Sequence, residues 1–98
     1  MAVGDVVADT ASVADTAYMD IQPASGAEWV IHNLYWADDS ELYKYDGTNA
    51  IAFQANTGAG ALLNAQIHVN NTDYLRIKNV SGGAAICGYD GIITKVAS

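Results

Sequence analysis

Side chains able to do chemistry are sparse in this sequence. Cys87, His32 and His68 are its only cysteine and histidines, and they stand far apart. A zinc centre needs about three or four converging Cys, His or carboxylate ligands, and no such set occurs at ligand spacing. Cys87 ends the apolar run Ala84-Ala85-Ile86-Cys87. It reads as a small core residue, because a reactive thiolate wants an electropositive, accessible setting. A lone cysteine also leaves no intrachain disulfide. His32 reads as a half-buried polar residue of a strand and His68 as a solvated one.

Asp38, Asp39 and Glu41 form the one acidic cluster expected in a loop. Calcium takes about six to eight oxygen ligands, and this spacing matches no calcium loop. The expectation is a solvated turn, with no metal and no other cofactor. Gly58-Ala59-Gly60 lies between two strand-like runs, without the helix whose N-terminus would bind phosphate. No Gly-x-Ser-x-Gly elbow, phosphate loop or dinucleotide fingerprint occurs. Carboxylate pairs of the glycosidase kind can be drawn in any acidic chain, so they carry no specificity. The residues therefore point to no catalytic role. Trp29, Trp36 and the six tyrosines can stack against sugars, Trp36 most readily because it borders a loop. The stronger demand on them is bulk for a small core and for subunit contacts.

The elements that must position these residues are strands. No long stretch keeps a helical apolar stripe, and turn residues recur about every ten positions. Residues 1–17 contain a small echo, Val-Ala-Asp-Thr at 7–10 and again at 13–16, and are expected to form an N-terminal arm or an edge strand. Residues 18–98 are expected to form the globular domain. Its first strand, 18–22, stops at Pro23 and Ser25-Gly26. In residues 27–36, period-two reading puts Trp29, Ile31 and Tyr35 on one side and Val30, Leu34 and Trp36 on the other. Both faces are apolar, so this strand is expected to be covered on both sides. Asp46-Gly47 signals a hairpin whose return strand turns Ile51 and Phe53 inward. Residues 61–70 alternate most cleanly: Ala61, Leu63, Ala65, Ile67 and Val69 oppose Asn64, Gln66, His68 and Asn70. Leu75 and Ile77 point inward from 74–80, and two last strands are expected either side of Asp90-Gly91. About eight short strands suggest a compact antiparallel β-sandwich, jelly-roll-like, with an immunoglobulin-type sandwich as the alternative.

Composition bounds the rest. The 98 residues are 51% hydrophobic and only 15% charged. That is one folded domain with less polar surface than a lone monomer commonly carries. Four basic residues against eleven acidic ones give a net charge of −7, which repels phosphate backbones and argues against nucleic-acid binding. No apolar run is long enough for a membrane helix. The opening Met1-Ala2-Val3-Gly4-Asp5 lacks a secretory pattern, so folding in a cytoplasm is expected.

Four segments carry a resemblance: Ile21-Gln22-Pro23-Ala24-Ser25-Gly26-Ala27-Glu28-Trp29-Val30-Ile31-His32-Asn33, Leu42-Tyr43-Lys44-Tyr45-Asp46-Gly47, Tyr74-Leu75-Arg76-Ile77-Lys78-Asn79 and Gly88-Tyr89-Asp90-Gly91. Over residues 18–96 the chain resembles small virion structural proteins of tailed phages, of the head decoration (cement) type. The resemblance implies a β-sandwich subunit, commonly a homotrimer, that binds an assembled shell and has no catalytic residues. The expected partners are further copies of the chain and the major capsid protein, and the expected location is the virion. Tyr18, Trp29, Leu34, Tyr35 and Trp36 are the candidate subunit or capsid contacts. Removing residues 2–16 is expected to leave a folded oligomer that binds capsids weakly. A tail-fibre or receptor-binding tip and a small carbohydrate-binding module are the alternatives.

Overall fold

Short apolar runs separated by turn residues become nine strands in the computed structural model, which describes residues 2–97. They are β1 (Val6–Val13), β2 (Tyr18–Ile21), β3 (Glu28–Trp36), β4 (Ser40–Tyr45), β5 (Ala50–Asn56), β6 (Gly60–Leu62), β7 (Ile67–Asn70), β8 (Tyr74–Asn79) and β9 (Ala85–Lys95). One sheet runs β1-β9-β3, with β6 and β7 both paired to the far side of β3. The other runs β2-β8-β4-β5. Every pairing is antiparallel. With β6 and β7 taken as one interrupted strand, eight strands divide between two four-stranded sheets. The chain crosses from one sheet to the other at nearly every step, which is the jelly-roll path. The core between the sheets is aliphatic: Ile21, Ile31, Leu34, Leu42, Leu75, Ile77 and Ile93 are all buried.

A bulge in β3 explains the apolar pattern of residues 27–36. Ile31 pairs with Gly91 and Asn33 with Asp90, so His32 is an extra residue on β3. An inserted residue reverses which face the following side chains take. Ile31 points inward before the bulge, and Leu34 and Trp36 point inward after it. The strand has one apolar inner face whose phase changes partway, so the expected cover on both faces is not needed.

The same irregularity interrupts the neighbouring strand. Residues 63–66 leave the ladder opposite the bulge, with Asn64 in the left-handed region at φ 58°. The Ala65 N–H donates to the His32 carbonyl at 2.9 Å, and the Asn64 N–H to Asn33 Oδ1 at 3.2 Å. Leu62 consequently packs on the core while Leu63 is 59% exposed, a correction to the unbroken alternation expected over 61–70. The expected turn at Asp90-Gly91 is likewise absent, because β9 runs straight through it. Gly91 faces the bulge, where a Cβ would collide with the Val30 carbonyl oxygen, so glycine here serves close approach of two backbones.

Residues 6–13 are an edge strand. β1 pairs with β9 along its whole length, from Val6 opposite Ile92 to Val13 opposite Ala85. Val7 and Val13 are buried in the core.

Candidate interaction flank

The three carboxylates of the acidic turn each accept a hydrogen bond of their own. Asp38 Oδ1 accepts from the Asp39 N–H at 2.8 Å. Asp39 Oδ1 accepts from the Gly58 N–H at 2.6 Å, and Glu41 Oε1 from the Tyr43 hydroxyl at 2.8 Å. Asp39 thereby ties down the Gly58-Ala59-Gly60 loop, and Gly60 lies against the Trp36 indole, where a Cβ would stand 3.1 Å from the ring. His68 faces outward beside Val30, and His32 occupies the bulge. Among the described residues no three His, Cys, Asp or Glu side chains gather where one ion could bind them. Cys87 is buried; burial pushes its thiol pKa up, against a smaller opposing effect of a hydrogen bond with Ser40.

The five residues expected at an interface do not form a patch. Leu34 and Trp36 are core residues; the bulge turns both inward, so neither reaches a partner. Trp29 is half-buried and stacks on Tyr89, with ring centroids 6.3 Å apart. Tyr18 and Tyr35 are exposed, but they lie on the outer faces of opposite sheets. Tyr18 carries the Arg76 guanidinium 3.9 Å above its ring. Tyr35 donates to Asp90 Oδ2 at 2.5 Å, and Asn33 donates to Asp90 Oδ1 at 2.7 Å. Asn33, Tyr35 and Asp90 form one polar cluster. Here they direct their hydrogen bonds to one another and to Asn64, and so they fasten the bulge.

One flank of the sandwich differs from the rest of the surface. All eleven acidic and all four basic residues lie outside residues 47–72. That uncharged stretch contains β5, β6 and β7, which form the same flank of both sheets. β5 is seven residues long, Ala-Ile-Ala-Phe-Gln-Ala-Asn, and pairs only with β4, leaving its other edge without a strand among the described residues. Because β6 and β7 are short and broken, little of the first sheet stands over β5. Ile51 and Phe53 take the inner side as expected, yet remain 63% and 40% exposed. Phe53, Lys44, Ile67 and Leu75 line a depression of about 260 Å³ between the sheets. Its one charged member, Lys44, is neutralised by an ion pair with Asp73.

The other edges are protected in the usual ways, by charge and by shortness. β1 carries Asp9, with Asp5 and Asp15 flanking it. β2 is four residues long and holds Asp20, which accepts from Arg76 Nε at 2.6 Å. β5 has neither charge nor shortness; its one irregularity is a bulge at Phe53, between the Leu42–Gln54 and Tyr43–Ala52 pairs. The signal for this flank, a long interval without a charge in an acidic chain, is present in the sequence but is not a motif, so a search for chemistry passes over it. No protein-family model matches the chain, and no curated protein matches it.

Proposed function

We propose that this protein is a non-enzymatic structural subunit: a virion surface protein of the tailed-phage kind that binds the outside of an assembled head and stabilises it. The observation that carries the reading is the uncharged flank with Ile51, Phe53 and Leu63 exposed, on a molecule whose net charge is −7. Exposed apolar surface around a strand edge without charge is a liability for a protein that stays alone and an asset for one that assembles. The acidic remainder suits an outer position, because packaged nucleic acid would repel it. Association with further copies and with the major capsid protein supplies the stabilisation. A protein that binds the closed shell in preference to its parts favours the shell by mass action, and many modest contacts on a symmetric lattice add up.

Co-sedimentation with expanded, decoration-free phage heads tests the reading. The full-length protein is expected to pellet with the heads to saturation and to raise the temperature at which they rupture. Protein that stays in the supernatant while binding cell-surface polysaccharide would overturn the reading in favour of a receptor-binding module.

A further inference from the structure

We infer that β5 is the self-association edge of this protein, where a second copy adds its own β5 antiparallel across a two-fold axis and joins two four-stranded sheets into one. The inference rests on the assembly reading above and names the partner of the same flank. Backbone geometry is the first support. The outer edge of β5 presents the N–H and C=O groups that do not bond to β4, on either side of a bulge at Phe53, and strand addition satisfies such groups without any new fold. Charge is the second. Two copies of a −7 protein repel wherever their acidic surfaces meet, whereas residues 47–72 bring no formal charge to the contact. The strand itself is the third. In an antiparallel pair of identical strands each residue meets another from the same uncharged set, so no like charges oppose one another. Ile51 and Phe53 of each copy gain cover, and Ala50, Ala52 and Ala55 present no bulk against the approach.

A single strand pair with a few apolar contacts lies at the small end of specific interfaces. Association should therefore be reversible, with a dissociation constant of about micromolar order. The residual repulsion between acidic bodies is screened by salt, so the dimer should tighten as salt is raised.

The test is sedimentation of the full chain over a concentration series at low and moderate salt, with hydrogen exchange on the same samples. The mass is expected to rise from 10.3 kDa toward twice that value, at lower concentration when salt is added. Amides of β5 should slow with concentration while those of β1, the charged edge, do not. Phe53→Lys should weaken association at least about tenfold. Ile51→Lys, at a more exposed position, should do the same and guards against a folding defect in the first variant. Ile92→Lys, on the outer face of the other sheet, should leave it unchanged. A monomer at all concentrations overturns the inference, and so does association that spares the β5 amides or responds to Ile92→Lys and not to Phe53→Lys. A monomer that still pellets with heads would overturn self-pairing alone, and a β5-paired dimer that ignores heads would overturn the assembly reading alone.

Discussion

Asn79 is buried at the end of β8 with both ends of its amide engaged. Its Nδ2 donates to the Val13 carbonyl at 2.8 Å and to the Gly83 carbonyl at 2.6 Å, and its Oδ1 accepts from the Ser81 N–H at 2.9 Å. One side chain thus joins the end of β1 to the turn that leads into β9. Asn79→Ala removes the side-chain partner of the Val13 carbonyl and of the Ser81 N–H, while the Gly83 carbonyl keeps the Ser81 hydroxyl, so a loss of about 2–3 kcal/mol is expected in urea unfolding. An unchanged midpoint would refute the role. Three phenols, with the buried Cys87 thiol, make the fold sensitive to alkali. A hydrogen bond to Asp90 raises the Tyr35 pKa, one to Glu41 raises that of Tyr43, and burial raises that of Tyr89. In each case the fold favours the neutral phenol. The stability they contribute is full below the ordinary tyrosine pKa of about 10 and is lost as pH rises through the higher folded values. Thermal melts should therefore drop above about pH 10, and a flat profile through that range would contradict the assignment.

At the scale of elements, the irregular places are the ones pattern reading misses. Periodicity located most of the strands, because turn clusters and alternating side chains are local properties. The bulge at His32 is not local: it depends on Gly91 in β9 admitting the β3 backbone, and on Asn33, Asp90 and Asn64 fastening the result. A residue inserted unseen makes a one-faced strand look two-faced, which is how Leu34 and Trp36 came to be expected on the surface. Gly91→Ala tests the arrangement, with an expected cost of about 2–3 kcal/mol from a Cβ forced against the Val30 carbonyl. Retention of wild-type stability would show that the two backbones can separate freely. β1 was ambiguous for a different reason. Only Val7 and Val13 of its eight residues are buried, so its place is secured by the ladder to β9 more than by apolar pattern. Deleting residues 2–13 removes that ladder and uncovers the core. Two buried valines alone are worth about 3–5 kcal/mol, a large part of the roughly 5–15 kcal/mol that holds a domain together. The truncated protein should lose its cooperative melt, which replaces the folded oligomer expected from the sequence for removal of residues 2–16, and a folded truncated domain would contradict the placement of β1.

Across the whole molecule, the distribution of charge says more than any constellation of reactive groups. The jelly-roll path brings residues 47–72 to one flank, where two sheets end and neither edge is shielded by charge. Net charge and low charged fraction were legible in the sequence and already suggested a subunit. Which face associates was not, because it depends on where the path places β5 relative to the broken β6 and β7. Of the expected contacts, the structure buries Leu34 and Trp36 and sets Tyr18 and Tyr35 on opposite sheets. Whether this flank is the assembly face is tested by comparing head binding by the wild-type protein and by Ile51→Lys/Phe53→Lys under identical conditions. Both positions are exposed, so the variant is expected to keep its circular dichroism and melting profile. The wild-type protein is expected to pellet with decoration-free heads while the folded variant stays in the supernatant. Equal pelleting of the two would show that the flank is not the assembly face.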